Sequence, residues 1–258
     1  EYCVAFKINK PVFQTALMDR TLPSRKEGYE AWRKPLSEAT RADLKAYAAG
    51  LTPLGIEWYA GHNPIAAEKK IQSGDEGDFR VLLGWACAVE ELGGHLCIKY
   101  DDHRFPISQE DMAQFGSARE ADVHLLLRLH RELKKRYPRA KILFCPPFYW
   151  GPSSPAMYPE KRDDYLFALG ANLPADIEIF WTGPKVKSTQ VTPAMTAWIT
   201  KRLRRRPVYW QNGFATPHMF LYHYVTDPIP ALGEWYYDGF LAAVDTYMFN
   251  CMMPGYAA

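Results

Sequence analysis

Short apolar runs alternate with amphipathic helical stretches along almost the whole chain, and this alternation constrains the fold more than any composition figure. Apolar runs of four to six residues bounded by turn residues read as buried strands, and helices between such strands imply βα units around a parallel sheet. Residues 2–6 read as a strand ending at Lys7, followed by a loop rich in basic and turn residues as far as Pro35. Further strands are expected at 56–59, 95–100, 141–145, 177–181 and 208–211. Helices are expected from Ser37 or Thr40 to Gly50, over 78–92 up to the Gly93-Gly94 stop, and over 117–136 with Leu126, Leu129 and Leu133 at core-facing spacing. Others follow at 163–173, from a Thr192 cap into the basic run 201–206, and over most of 235–248. With six or seven strands, no internal repeat and no linker, residues 1–258 read as one (β/α)-barrel domain belonging to a longer gene product. The expected class is α/β, a TIM-type (β/α)8 barrel.

The strand at 95–100 carries the most chemical information. Its apolar run stops at Asp101-Asp102-His103, with Pro106 just beyond. In a parallel barrel the C-terminal ends of the strands form the catalytic face, so the strand delivers two carboxylates there as candidate general acid and charge stabiliser. Polar or aromatic residues stand at the other strand ends too: Lys7, Asn63, Tyr149, Thr182 and Asn212.

Charge and composition narrow the partners. The balance of 31 basic against 29 acidic residues, net +2, gives no footprint for nucleic acid. The run 201–206 reads as a solvated helix C-terminus that suits the macrodipole. Aromatic content of 14%, with 8 Trp and 16 Tyr, favours a carbohydrate partner, since these rings pair a flat apolar face with a polar edge. Cys3, Cys87, Cys97, Cys145 and Cys251 are scattered and form no CxxC pair, which argues against a zinc site or thioredoxin-like chemistry. No apolar stretch approaches the ~20 residues of a membrane span.

Several motifs occur together in one order: Lys7 after Val4-Ala5-Phe6, Tyr100-Asp101-Asp102, Phe144-Cys145-Pro146 with Tyr149, Phe180-Trp181-Thr182-Gly183-Pro184, and Tyr209-Trp210-Gln211-Asn212. In this the chain resembles the β-N-acetylglucosaminidase barrel of glycoside hydrolase family 84, the O-GlcNAcases and related bacterial hyaluronidase-like enzymes. The resemblance implies hydrolysis of terminal β-linked N-acetylglucosamine, or a related 2-acetamido sugar, on a glycan or glycoprotein, with no metal and no organic cofactor. It implies retaining, substrate-assisted chemistry, an exception to the two-carboxylate scheme. Asp101 matches the carboxylate that orients the acetamido group, and Asp102 the general acid/base. Lys7 would bond a sugar hydroxyl, Tyr149 the acetamido oxygen, and Asn212 the acetamido region or Asp102. Trp210 would wall the acetyl pocket, and Thr182 and Asn250 complete the sugar-contacting set.

Three departures set limits on the substrate. The chain has no Gly-Phe-Tyr-Gly-like first-strand motif, so the barrel is truncated, closed differently, or incompletely represented. Near Pro217 and His218 the family has an aspartate that grips distal hydroxyls, and Gln211 also replaces an acid. Asn250 is the nearest counterpart of a further family asparagine. Another sugar, an extended glycan, or weak activity on the simple sugar would each follow. Two rival readings remain beside the enzyme: a glycan-binding barrel without efficient turnover, and a metal-dependent hydrolase using Asp101, Asp102 and His103. Three consecutive ligands suit few geometries, which disfavours the second. Asp101-Asp102 as a mere turn, Asn212 as a turn residue before Gly213, and Tyr149 and Trp150 as rim cover are the plain alternatives to the site roles.

Overall fold

The computed structural model describes residues 10–14, 31–101, 105, 107–153, 160–188, 190–212 and 236–249. They divide into two compact units, Glu1–Pro147 with Asn172–Glu178, and Phe148–Ala171 with Ile179–Ala258. Residues 2–6, read as a strand from the sequence, lie outside the described residues.

In the first unit, β1 (Val12–Gln14), β2 (Tyr59–His62), β3 (His95–Lys99) and β4 (Ile142–Cys145) pair in parallel, each with the next. Helix α1 (Glu38–Leu51) joins β1 to β2, α2 (Glu76–Glu91) joins β2 to β3, and α3 (Gln109–Phe115) with α4 (Ala118–Arg136) joins β3 to β4. Of the two caps offered for α1, Ser37 is the one used, and Ser117, read as the first residue of a helix, is the cap of α4. Ser37 Oγ accepts the Thr40 amide at 3.2 Å, and Ser117 Oγ accepts that of Glu120 at 3.4 Å. Helix α2 begins earlier than the sequence suggests because Asp75 is the cap, its Oδ1 accepting the Asp78 amide at 2.7 Å. Leu44, Ala48 and Leu51 of α1 bury against Trp58, Ala60 and Val89, with Phe13 packed alongside.

Strand β1 corrects the sequence reading, which left residues 8–35 as loop. It is too short to show a period of two. It exists through pairing, with the Tyr59 amide bonding Pro11 O at 2.9 Å and Phe13 stacking on Tyr47 at 4.6 Å.

The second unit holds α5 (Arg162–Asn172), α6 (Pro193–Leu203), a short α7 (Phe240–Ala243) and the parallel strands β5 (Ile177–Trp181), β6 (Val208–Gln211) and β7 (Thr246–Phe249). The first residues of β5, Ile177 and Glu178, group with the first unit. A Cβ on Gly170 would sit 2.1 Å from Arg202 O, so α5 and α6 approach this closely only over a glycine. The mostly helical reading of 235–248 is overturned. Only α7 is helical, Tyr236 bridges Val191, and residues 246–249 run as β7 along β6. Thr246, Tyr247 and Phe249 suit a strand, and an available edge on β6 outweighs the weak helical pattern.

Candidate functional site at the strand ends

The two ends of the first unit's strands differ in chemistry. At the N-terminal ends, Lys10, Glu57, Lys141 and Glu178 form one ionic network. Lys10 Nζ lies 3.1 Å from Glu178 and 3.5 Å from Glu57, and Lys141 Nζ lies 2.6 Å from Glu57. The Tyr59 hydroxyl donates to Glu178 at 3.0 Å. Burial and the adjacent Glu178 and Glu57 carboxylates drive the Tyr59 phenol far above its ordinary range, so it remains a donor. Burial alone would raise Glu57, but the Lys141 hydrogen bond, with the charges of Lys141, Lys10 and His95, holds it below the usual carboxylate range.

At the C-terminal ends of β2 and β3 stand Asn63 and Asp101. Both have a buried Oδ1 with no hydrogen-bond partner among the described residues. An acceptor left this way costs about 1–3 kcal/mol of desolvation. Between the two ends, Cys97 is fully buried and its thiol is pushed up to about 12 by burial, so it is a space-filling thiol. His62, the last residue of β2, lies 4.7 Å from Trp85 and 6.1 Å from Trp32 by ring centroids. Burial lowers its pKa to about 3, and it is neutral at neutral pH.

In the second unit, Tyr149, Trp150 and Asn212 stand at loop positions, with Phe180 on β5 and Trp210 on β6. Tyr149 is buried, its ring 4.9 Å from Trp150 and 6.2 Å from Trp210, which in turn lies 5.0 Å from Phe180. Asn212 is buried directly after β6. The Thr182 hydroxyl lies 3.2 Å from Tyr149 O and 3.0 Å from Lys185 O, and its amide donates to Tyr149 O at 2.8 Å. Its polar atoms thus bind loop backbone. Gly183, at φ +92°, turns the chain immediately after it, and a Cβ there would meet Ser188 Oγ at 2.5 Å. Gln211, read as the replacement of a family acid, is fully buried and hydrogen-bonds through Nε2 to the Tyr236 hydroxyl.

Of the residues singled out in the sequence, Asp101 belongs to the first unit, and Tyr149, Thr182, Trp210 and Asn212 to the second. Lys7, Asp102, His103, Pro217, His218 and Asn250 lie outside the described residues. Among the described residues, no group of three or more His, Cys, Asp or Glu side chains converges as metal ligands would, and no helix is long and apolar enough to cross a membrane. Asn63 stands in the sequence as a strand-end residue with no assigned role; its burial, and an Oδ1 that no described residue meets, appear only in three dimensions.

The family described as beta-N-acetylglucosaminidase matches residues 26–217. The Protein O-GlcNAcases of Rattus norvegicus and Mus musculus are each 32% identical over 114 residues, 44% of this chain and 12% of the relative. A point mutant of the O-GlcNAc hydrolase of Thermobaculum terrenum superposes with a TM-score of 0.68 at 25% identity, over 82% of this chain and 42% of that one. The chain thus spans well under half of these relatives. With the successive parallel βα units, the likeness identifies the fold as the TIM-barrel type, with seven described strands where a full barrel has eight.

Proposed function

The chain belongs to the β-N-acetylglucosaminidase family, and on that premise we propose that it hydrolyses terminal β-linked N-acetylglucosamine, or a closely related 2-acetamido sugar, by substrate-assisted catalysis. The observation that carries the reading is Asp101: a half-buried carboxylate at the C-terminal end of β3 whose Oδ1 has no partner among the described residues. A buried acceptor in that state is ready for an N–H donor, and the acetamido N–H of the substrate is such a donor.

The steps follow from that contact. Asp101 accepts the acetamido N–H, which aims the acetamido oxygen at the anomeric carbon. As that oxygen bonds to carbon, the glycosidic C–O bond breaks and Asp102 gives its proton to the leaving oxygen. The positive charge developing on the oxazoline ring is offset by the Asp101 carboxylate, a fixed charge in a partly desolvated setting. Asp102, now a base, takes a proton from water as its oxygen attacks the anomeric carbon and opens the ring, regenerating the acetamido group with retention.

The deciding experiment is steady-state release of an aryl leaving group from an N-acetylglucosaminide, run with an acetamido-sugar thiazoline as inhibitor. Turnover that the thiazoline blocks competitively supports the reading. Saturable sugar binding with no release would reduce it to a glycan-binding barrel.

A further inference from the structure

Two buried acceptors without partners among the described residues stand at the ends of neighbouring strands in the first unit, and the proposed chemistry uses only Asp101. The other is Asn63, which is only 7% exposed. Its side of the sheet follows from β2. Ala60 buries among Leu44 and Ala48, and the His62 ring meets Trp32 and Trp85, so these alternate residues face the helices. Tyr59 faces the other way, reaching Glu178 at 3.0 Å and lying 5.4 Å from the His95 ring. Extended one residue past β2 and two past β3, the strand period of two sets Asn63 on the Tyr59 side and Asp101 on the His95 side, which is the same face. The parallel register Gly61↔Cys97 sets Asn63 level with Lys99, one alternation short of Asp101.

The backbone around Asn63 is fixed. Its carbonyl accepts the Ala66 amide at 3.3 Å, and the Pro64 carbonyl accepts that of Ile71 at 3.0 Å. A side chain on so rigid a turn is pre-organised, and an orphaned acceptor is tolerated where something other than protein completes it.

We propose that Asn63 is a further substrate-contacting residue, its Oδ1 accepting a hydrogen bond from a hydroxyl of the 2-acetamido sugar that Asp101 holds by the acetamido N–H. The inference rests on the function proposed above and adds a contact from β2. An amide suits this place because it grips a hydroxyl without adding a charge near Asp101.

The test is a substrate–variant cycle on the whole protein. Aryl N-acetylglucosaminide and its 3-, 4- and 6-deoxy analogues are assayed with the native protein, Asn63→Leu and Asn63→Ala, with melting temperatures checked in parallel. A neutral hydrogen bond corresponds to a loss of roughly five- to tenfold in kcat/KM. The expected result is that both variants lose this on the parent sugar, while one deoxy analogue, already weakened to the same degree, loses nothing more. Equal losses on all four substrates, or none, overturn the role of Asn63 while leaving the hydrolase reading intact. A native protein that neither cleaves the parent sugar nor binds a thiazoline overturns both.

Discussion

The same strands, β2 and β3, end in opposite chemical states. Toward their N-terminal ends the polar groups satisfy one another, with Glu57 and Glu178 shared between Lys10, Lys141 and the Tyr59 hydroxyl. Toward their C-terminal ends Asn63 and Asp101 each bury an acceptor that no described residue meets. In parallel barrels stability and function divide between the two ends of the strands in this way, and the proposed site follows that division. Substitutions at the two ends should therefore register in different measurements.

The sharpest break in that comparison is Asp102→Asn. On a substrate with a poor leaving group kcat/KM should fall by up to about 10⁴, and an activated aryl substrate should recover much of it, since protonation of the leaving oxygen then matters less. Rates that drop equally on both substrates would remove Asp102 as general acid. Asp101→Asn should cost about 10²–10³ on either substrate, because charge stabilisation is lost whatever leaves. The same change should leave the melting temperature unchanged or higher, as it removes a buried charge without a described partner. A large fall in stability would mean that Asp101 holds the fold together.

At the opposite end the pattern should invert. Glu178→Gln breaks a charge-assisted set in a poorly exposed place and should destabilise by about 1.5–3 kcal/mol in urea titration, with kcat/KM unaffected. A large loss of activity with native stability would show that the two ends are not separate. His62 supplies the effect most specific to pH, and at neutral pH none of it is lost. Its folded pKa, lowered to about 3, lies below the ordinary value of 6.5, so the unfolded chain binds one more proton between these limits. Stability conferred by the neutral ring is thus complete above about pH 6.5 and is lost as pH falls toward 3, at up to about 1.4 kcal/mol per pH unit. Melting curves of His62→Leu across that window should be flatter than those of the native protein. Parallel curves would mean that His62 is protonated in the fold.

The sequence was most informative where a pattern repeats or a motif is local. Strands 177–181 and 208–211 stand at the expected residues, and Ser37, one of the two caps offered, bonds the Thr40 amide, because capping and burial are decided within a few residues. It was least informative where one short segment depends on another. Val12–Gln14 is a strand only because Tyr59–His62 offers it an edge, and Thr246–Phe249 leaves its helical pattern for pairing with β6. Thr182 shows the same limit at the site. Its place in the Trp-Thr-Gly-Pro run marks the family, yet its hydroxyl lies against the carbonyls of Tyr149 and Lys185.

By itself the amino-acid order settled the class of fold and the family, since alternating strand and helix patterns and a handful of motifs are carried by neighbouring residues. Only the tertiary structure decided which acceptors are left without partners. Asp101 and Asn63 are far apart in the chain, and their burial and position at adjacent strand ends are set by the register of β2 on β3. Whether a polar atom finds a partner depends on every element packed around it, and no local pattern records that.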